Sequence, residues 1–349
     1  MFKRIIPIIL SVAICAVSIT GCSTSSELDD NVDMLVADYL QNYSVTQSDG
    51  NDTSIDDTLA LMLDGYVSGL GKPAIEDIQT TDIEPTDEEA EIFDNFDENS
   101  DGNCKSVAEL KSFILKALAD TVESATFYLP ASLYSDEMLY DVVFNQICEE
   151  YMIETMGLYQ YTTTTMQTTG NRIAVNIEFG YFDGSYRINE VKKMKSEVLN
   201  KAKDIVHDLG LANMTEYERV YAVNEYLCNN CVYPDKEPYS SESYTTYGAL
   251  IQQSAVCEGY ARSAQLLFML CNIDSYFVTG DTPEGGHAWN LVKVDGQYYQ
   301  LDITWNDVEF GKNMYFLVTD QTMKKSRVWD YSRYPASAKK AYSPLQNAA

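Results

Sequence analysis

Ser254-Ala-Val-Cys257-Glu-Gly-Tyr-Ala261, Gly285-Gly-His287-Ala-Trp-Asn290 and Leu301-Asp302-Ile-Thr-Trp305 are the stretches on which the reading of this chain turns. The first opens a helical pattern, with Ala261, Ala264, Leu267, Phe268 and Cys271 recurring on one face. That places Cys257 in the first turn. A thiol there meets backbone N–H groups that have no intrahelical partner and the positive end of the helix dipole, both of which favour the thiolate. A buried structural cysteine has the same signature. A base is therefore needed before Cys257 reads as a nucleophile.

The next two stretches supply one. His287 to Val294 alternates, Asp295-Gly296 is a strong two-residue type I′ turn, and Gln297 to Thr304 alternates back. Pairing Val294 with Gln297 sets Trp289 opposite Asp302 and His287 opposite Thr304, so His287 and Asp302 become diagonal neighbours on one face. A carboxylate in that place fixes the tautomer and orientation of an imidazole. A slip of one residue would put the two on opposite faces, so the turn length carries the prediction.

The order Cys257, His287, Asp302 in the motifs AVCEGYA, GGHAWN and LDITW resembles the transglutaminase-like superfamily. The similarity covers roughly residues 215 to 330. It includes the helix end Asn224-Glu-Tyr-Leu-Cys228, Tyr247-Gly-Ala-Leu250 before the cysteine, and Asn313-Met-Tyr-Phe-Leu-Val318 after the aspartate. The resemblance implies an α+β, papain-like core in which a cysteine helix packs on an antiparallel sheet. It also implies roles: Cys257 attacks an acyl carbonyl, His287 moves the thiol proton to the leaving amine, and Asp302 orients His287. The Cys257 backbone N–H is one oxyanion donor, with Tyr247 or Gln253 as candidates for the second. Gly285-Gly286 reads either as an approach for a substrate backbone or as a flexible loop, and Trp289 and Trp305 as packing.

A Cys257 thioester taken by water makes a cysteine peptidase or amidase, the first expectation. Taken by an amine it makes a cross-linking transamidase. A surface binding module that keeps the triad without turnover is the rival from another class. The chemistry requires no cofactor and no metal, the partner is a peptide or protein substrate, and the expected base titrates near neutral pH.

Outward from this core, Thr215-x-x-Glu218 and Ser106-x-x-Glu109 are capping boxes. The second opens a helix with the stripe Leu110, Phe113, Ile114, Ala117, Leu118. A helix is expected from about Asp136 to Met156, a hairpin from Tyr159 to Tyr181 around Gly170-Asn171, and a Lys-rich amphipathic helix from Glu190 to Leu209 with His207 on its surface. Cys228-Asn-Asn-Cys231 has no second CxxC or histidine pair to complete a zinc site, so packing is the simplest reading, with a disulfide as the alternative. Asp97-x-Asn99-x-Asp101-Gly102 opens like a calcium loop, but Ala108 stands where the bidentate Glu belongs.

At the N-terminus, Lys3 and Arg4 precede the apolar run Ile5 to Ile19, which ends in Ile19-Thr-Gly-Cys22. That is a secretory signal whose last four residues resemble a bacterial lipobox. Cys22 is the expected lipidation site, which would anchor the exported chain to the bacterial cell membrane, facing away from the cytoplasm. The chain carries 53 acidic against 24 basic residues, a net charge of −29, and residues 27 to 104 hold 22 of the acids with one base. Such a balance argues against nucleic acid as a partner. Its concentration in one segment reads as an extended tether. With 26 Tyr and 12 Phe the rest is rich enough in aromatic surface to fold. The expected organisation is a leader at 1–22, an acidic tether at 23–104, an α+β accessory region at 105–212, the catalytic domain at 213–335 and a tail at 336–349.

Overall fold

A computed structural model describes residues 3–6, 102–169, 171–235, 237–307 and 312–343. Cys22, most of the acidic segment and the Asp97 to Asp101 part of the calcium-like loop lie outside the described residues. The chain divides into two units, which part between Lys192 and Lys193.

In the first unit, β1 (Lys3–Ile6) falls within the stretch expected to leave with the leader. Ser106 caps α1 (Val107–Ala119), its hydroxyl accepting from Glu109 N–H at 3.2 Å, while the Glu109 carboxylate reaches back to Lys105 N–H. Leu110, Ile114, Ala117 and Leu118 are buried as the stripe predicts. Leu115 joins them in place of Phe113, which stays half-buried with its ring edge-on to Phe127 at 6.4 Å. After β2 (Ser124–Pro130), the helix α2 opens at Asp136–Tyr140, widens into a π-type turn over Asp141–Ile147 and closes at Cys148–Glu150. It ends six residues before the expected Met156. The chain then makes turns that bury Met152, Ile153 and Met156 before Gly157, at φ 77°, redirects it.

Strands β3 (Leu158–Thr169) and β4 (Arg172–Tyr181) form the expected hairpin. Thr169 pairs with Arg172 across a two-residue turn in which Asn171 takes a left-handed φ of 66°. The antiparallel sheet has the order β1-β3-β4-β2. Helix α3 (Ile188–Asp208) runs from the end of the first unit into the second, with His207 exposed beside Asp208. None of the helices among the described residues is long and apolar enough to cross a membrane.

The second unit holds α4 (Glu216–Asn230), α5 (Cys257–Leu270) and a three-stranded antiparallel sheet of order β5-β6-β7, with β5 at Ser275–Thr282, β6 at Gly285–Val294 and β7 at Gln297–Leu301. Thr215 and Glu218 close a reciprocal capping box on α4. Helix α5 is buried almost all round rather than on one face: Glu258, Ser263 and Gln265 are buried along with the apolar positions. This is what a helix covered on several sides shows.

Strand β6 is the sheet's centre, and residues His287 to Val292 are all buried, so both of its faces are covered. Asn290 donates to Ala261 O of α5 at 3.0 Å. Trp289 lies in an apolar cluster with Val278, Leu291, Val318, Met323 and Trp329. Its indole N–H is satisfied by Gln300 Oε1 at 2.7 Å.

The β6–β7 hairpin has the predicted register: Val294 pairs with Gln297 and Asn290 with Leu301. Asp295 and Gly296 both have positive φ, 50° and 76°, as a type I′ turn demands. The expected strand through Thr304 is corrected. β7 stops at Leu301, and Ile303–Asn306 forms a helical turn, α6, with Asp302 as its N-cap. The aspartate side chain accepts from Trp305 N–H at 3.2 Å, a local bond that competes with the ladder.

Candidate active site

Cys257 is the first residue of α5, and the residue before it, Val256, offers no side-chain cap. The Val256 N–H donates instead to Ser243 O at 2.9 Å, while Ala255 N–H donates to Val232 O at 3.1 Å. Two upstream segments thus hold the entry to the helix. The fit is close at Gly259, where a Cβ would stand 2.6 Å from Ser243 O and 3.0 Å from Thr245 O. The first-turn N–H groups, including that of Cys257, point out of the helix end without intrahelical acceptors.

Strand β6 delivers His287 and the end of β7 delivers Asp302. Although the two never become a cross-strand pair, His287 Nε2 donates to Asp302 Oδ2 at 2.8 Å. The side chains are 2% and 0% exposed, so the bond is shielded from water. With Nε2 committed to Asp302, Nδ1 is left for Cys257, whose side chain is close enough to raise the His287 pKa. The three residues read from the sequence meet in one buried constellation.

Burial disfavours the imidazolium, but the Asp302 carboxylate and the Cys257 side chain outweigh it and raise His287 from 6.5 to about 10. This differs from the base near neutral expected from sequence. The reason is the desolvated carboxylate, which holds the proton on the ring. Burial likewise opposes the Asp302 charge, yet His287 and Arg327 together lower its pKa below 3.8.

Arg327 went unnoticed in the sequence. Its Nε donates to Asp302 Oδ2 at 3.0 Å and its Nη2 donates to the same oxygen, so three N–H groups converge there. The guanidinium lies 4.0 Å from the Tyr315 ring centroid and 5.4 Å from that of Trp305. No periodic pattern surrounds residue 327, and an isolated arginine on an irregular segment carries no local signal.

The two sequence candidates for a second oxyanion donor stand elsewhere. The Tyr247 phenol is hydrogen-bonded to Glu197, and Gln253 is exposed, in a left-handed conformation that ends a turn. The phenol on the Cys257 side is Tyr244, raised to about 12 by burial and then by Glu258 and Cys257. Tyr260, three residues after the cysteine, has its hydroxyl 2.9 Å from Cys231 O and 2.7 Å from Asp307 Oδ2, within hydrogen-bond distance of both, pinning α5 to the segments that flank it.

Cys228 and Cys231 are both buried free thiols rather than a disulfide. Burial pushes the Cys231 and Cys271 thiols up to about 12. No cluster that could hold a metal ion occurs among the described residues.

The profile of the Transglutaminase-like superfamily matches residues 203–303, a span that contains all three triad members. A comparison with curated proteins found no match. Among solved structures, the chain is similar to a TGase (14% identity, 52% of this chain and 51% of that one, TM-score 0.28). It is also similar to a protein from Cytophaga hutchinsonii named as a candidate cysteine protease (13%, 41% and 61%, TM-score 0.27). A third is the periplasmic domain of TgpA from Pseudomonas aeruginosa (12%, 41% and 59%, TM-score 0.25). The matched part spans about half to six-tenths of those chains. Over residues 203–303, then, this α+β chain matches the model of the transglutaminase-like superfamily.

Proposed function

We propose that the chain is a cysteine peptidase or amidase that opens peptide or side-chain amides through a thioester on Cys257. The observation that carries this reading is the buried His287–Asp302 bond of 2.8 Å, with the Cys257 side chain at the start of α5 close enough to raise the His287 pKa. Cys257 Sγ forms a bond to the acyl carbon as the carbonyl π bond opens, with the proton of the pair already held on His287 Nδ1. The Cys257 backbone N–H, at the uncapped helix end, meets the developing oxyanion. Collapse of the tetrahedral species breaks the C–N bond, and His287 hands its proton to the departing amine. Water then attacks the thioester and gives a proton to His287, and the C–S bond breaks to release the acid and restore the starting pair of Cys257 and protonated His287. Hydrolysis needs no site beyond the triad, whereas transamidation also needs one that holds an amine against competition from water.

The full-length protein is expected to hydrolyse casein without incorporating dansylcadaverine. Incorporation without hydrolysis would transfer the assignment to a transamidase, and neither activity, with an unreactive Cys257, to a binding module.

We further propose that the chain is exported and held at the membrane by lipid on Cys22, on the strength of the leader pattern and the terminal Ile-Thr-Gly-Cys. Labelled palmitate should enter the wild type and not Cys22→Ala. Equal labelling of both would remove the anchor.

A further inference from the structure

Arg327 lies outside the span that matches the family profile, yet its side chain is 1% exposed and ends on the triad carboxylate. Buried charge is retained only where it is paired and hydrogen-bonded, and here both conditions are met on a single oxygen of Asp302. The segment that delivers it is firmly seated. Next to Arg327, Val328 exchanges two backbone hydrogen bonds with Asp281 of β5, at 2.7 and 2.8 Å. Trp329 packs edge-on against Trp289 at 5.6 Å, and Trp289 in turn stacks on His287 at 5.9 Å. The approach is so close at Gly280, the β5 partner of His287, that a Cβ there would stand 2.4 Å from Val328 O. Residues 327 to 329 therefore touch the triad by two routes, one through Asp302 and one through Trp289.

We propose that Arg327 is a positioning residue of this site: it clamps Asp302 so that Oδ2 faces His287, and by sharing that oxygen's charge it limits how tightly His287 holds its proton. The proposal rests on the acyl-transfer reading only for its consequence in turnover; the clamp itself stands on the hydrogen bonds. Among the described residues, few titratable groups face the His287–Asp302 pair. They are Cys257 from α5, Arg327, and the Tyr315 phenol, which lies against the guanidinium and is lowered by it despite burial. Removing the guanidinium charge takes away the only cation among them other than His287 itself. An imidazolium relieved of a neighbouring cation holds its proton to higher pH.

The chain contains two histidines, so histidine-selective 15N labelling reports on two imidazoles, each with a pair of ring nitrogens. The exposed His207 supplies the reference. In the full-length Arg327→Gln protein, which keeps a donor but loses the charge, the His287 midpoint is expected to rise by about one pH unit, the scale of a single close charge, with the His207 signal unmoved. Arg327→Lys keeps the charge and should leave the His287 midpoint within a few tenths of a unit of wild type. An unmoved or lowered midpoint in Arg327→Gln would overturn the proposal. So would a Lys variant that shifts by as much as the Gln variant is expected to, and this decides the matter even if Arg327→Gln does not fold. Neither readout needs turnover, so loss of the peptidase reading would leave the clamp standing, and loss of the clamp would leave the peptidase reading standing.

Discussion

Cys257→Ala is expected to reduce casein hydrolysis to background, a loss of about a millionfold, the scale seen when a triad nucleophile is removed. On the proposed reading the thiol is the group of the constellation that forms the acyl bond. Stability should change little. The side chain is small and 4% exposed, and alanine fills most of its volume without stranding a charge. Thermal unfolding of the variant close to wild type, measured beside the lost activity, separates chemistry from folding. Residual hydrolysis above about one per cent would place the nucleophile elsewhere.

Asp302→Ala should lose both activity and stability. Without the carboxylate, His287 is free to take the wrong tautomer, and such a change in a triad lowers turnover by about 10⁴-fold. The same substitution leaves the Arg327 guanidinium buried and unpaired, at about 3–5 kcal/mol, and removes the cap of α6, at about 1 kcal/mol.

The pH dependence follows from the directions of the two shifts. Asp302, lowered below 3.8, contributes stability above that value and loses it as pH falls through the lower folded one. His287, raised from 6.5 to about 10, contributes fully below 6.5 and loses its share as pH rises through about 10. The gap in melting temperature between wild type and Asp302→Ala should therefore be widest between pH 3.8 and 6.5 and shrink on both sides. A gap that is flat across pH would show that the pair is not ionised in the folded protein.

Much of the site was legible because it rests on local rules. The type I′ turn at Asp295-Gly296 fixes the hairpin register, and register decides which residues approach one another. The start of α5 was legible from where the apolar spacing begins. What failed was the extrapolation of alternation past Leu301. Asp302 is a good N-cap, and its bond to Trp305 N–H ends the strand one residue before the aspartate would have paired. The His287–Asp302 approach survives this error because the chain turns at the residue whose side chain must reach inward. The replacement of Phe113 by Leu115 in the buried stripe of α1 is a packing outcome that spacing alone does not determine. Arg327 was illegible for a different reason. Its partner is 25 residues away on an unrelated element, and nothing in an irregular stretch encodes a contact at that range.

The central claim is that His287 and the helix terminus activate Cys257. Competitive alkylation tests it most directly: the full-length protein at pH 7 is treated with limiting iodoacetamide, and the labelled cysteines are quantified by mass spectrometry. Cys257 and Cys271 are 4% and 1% exposed, so access alone separates them little. Labelling of Cys257 at least about tenfold faster than Cys271, as thiolate control of reactivity requires, and lost in His287→Ala, is the predicted result; equal labelling of the two, or labelling of Cys257 indifferent to His287, would contradict it.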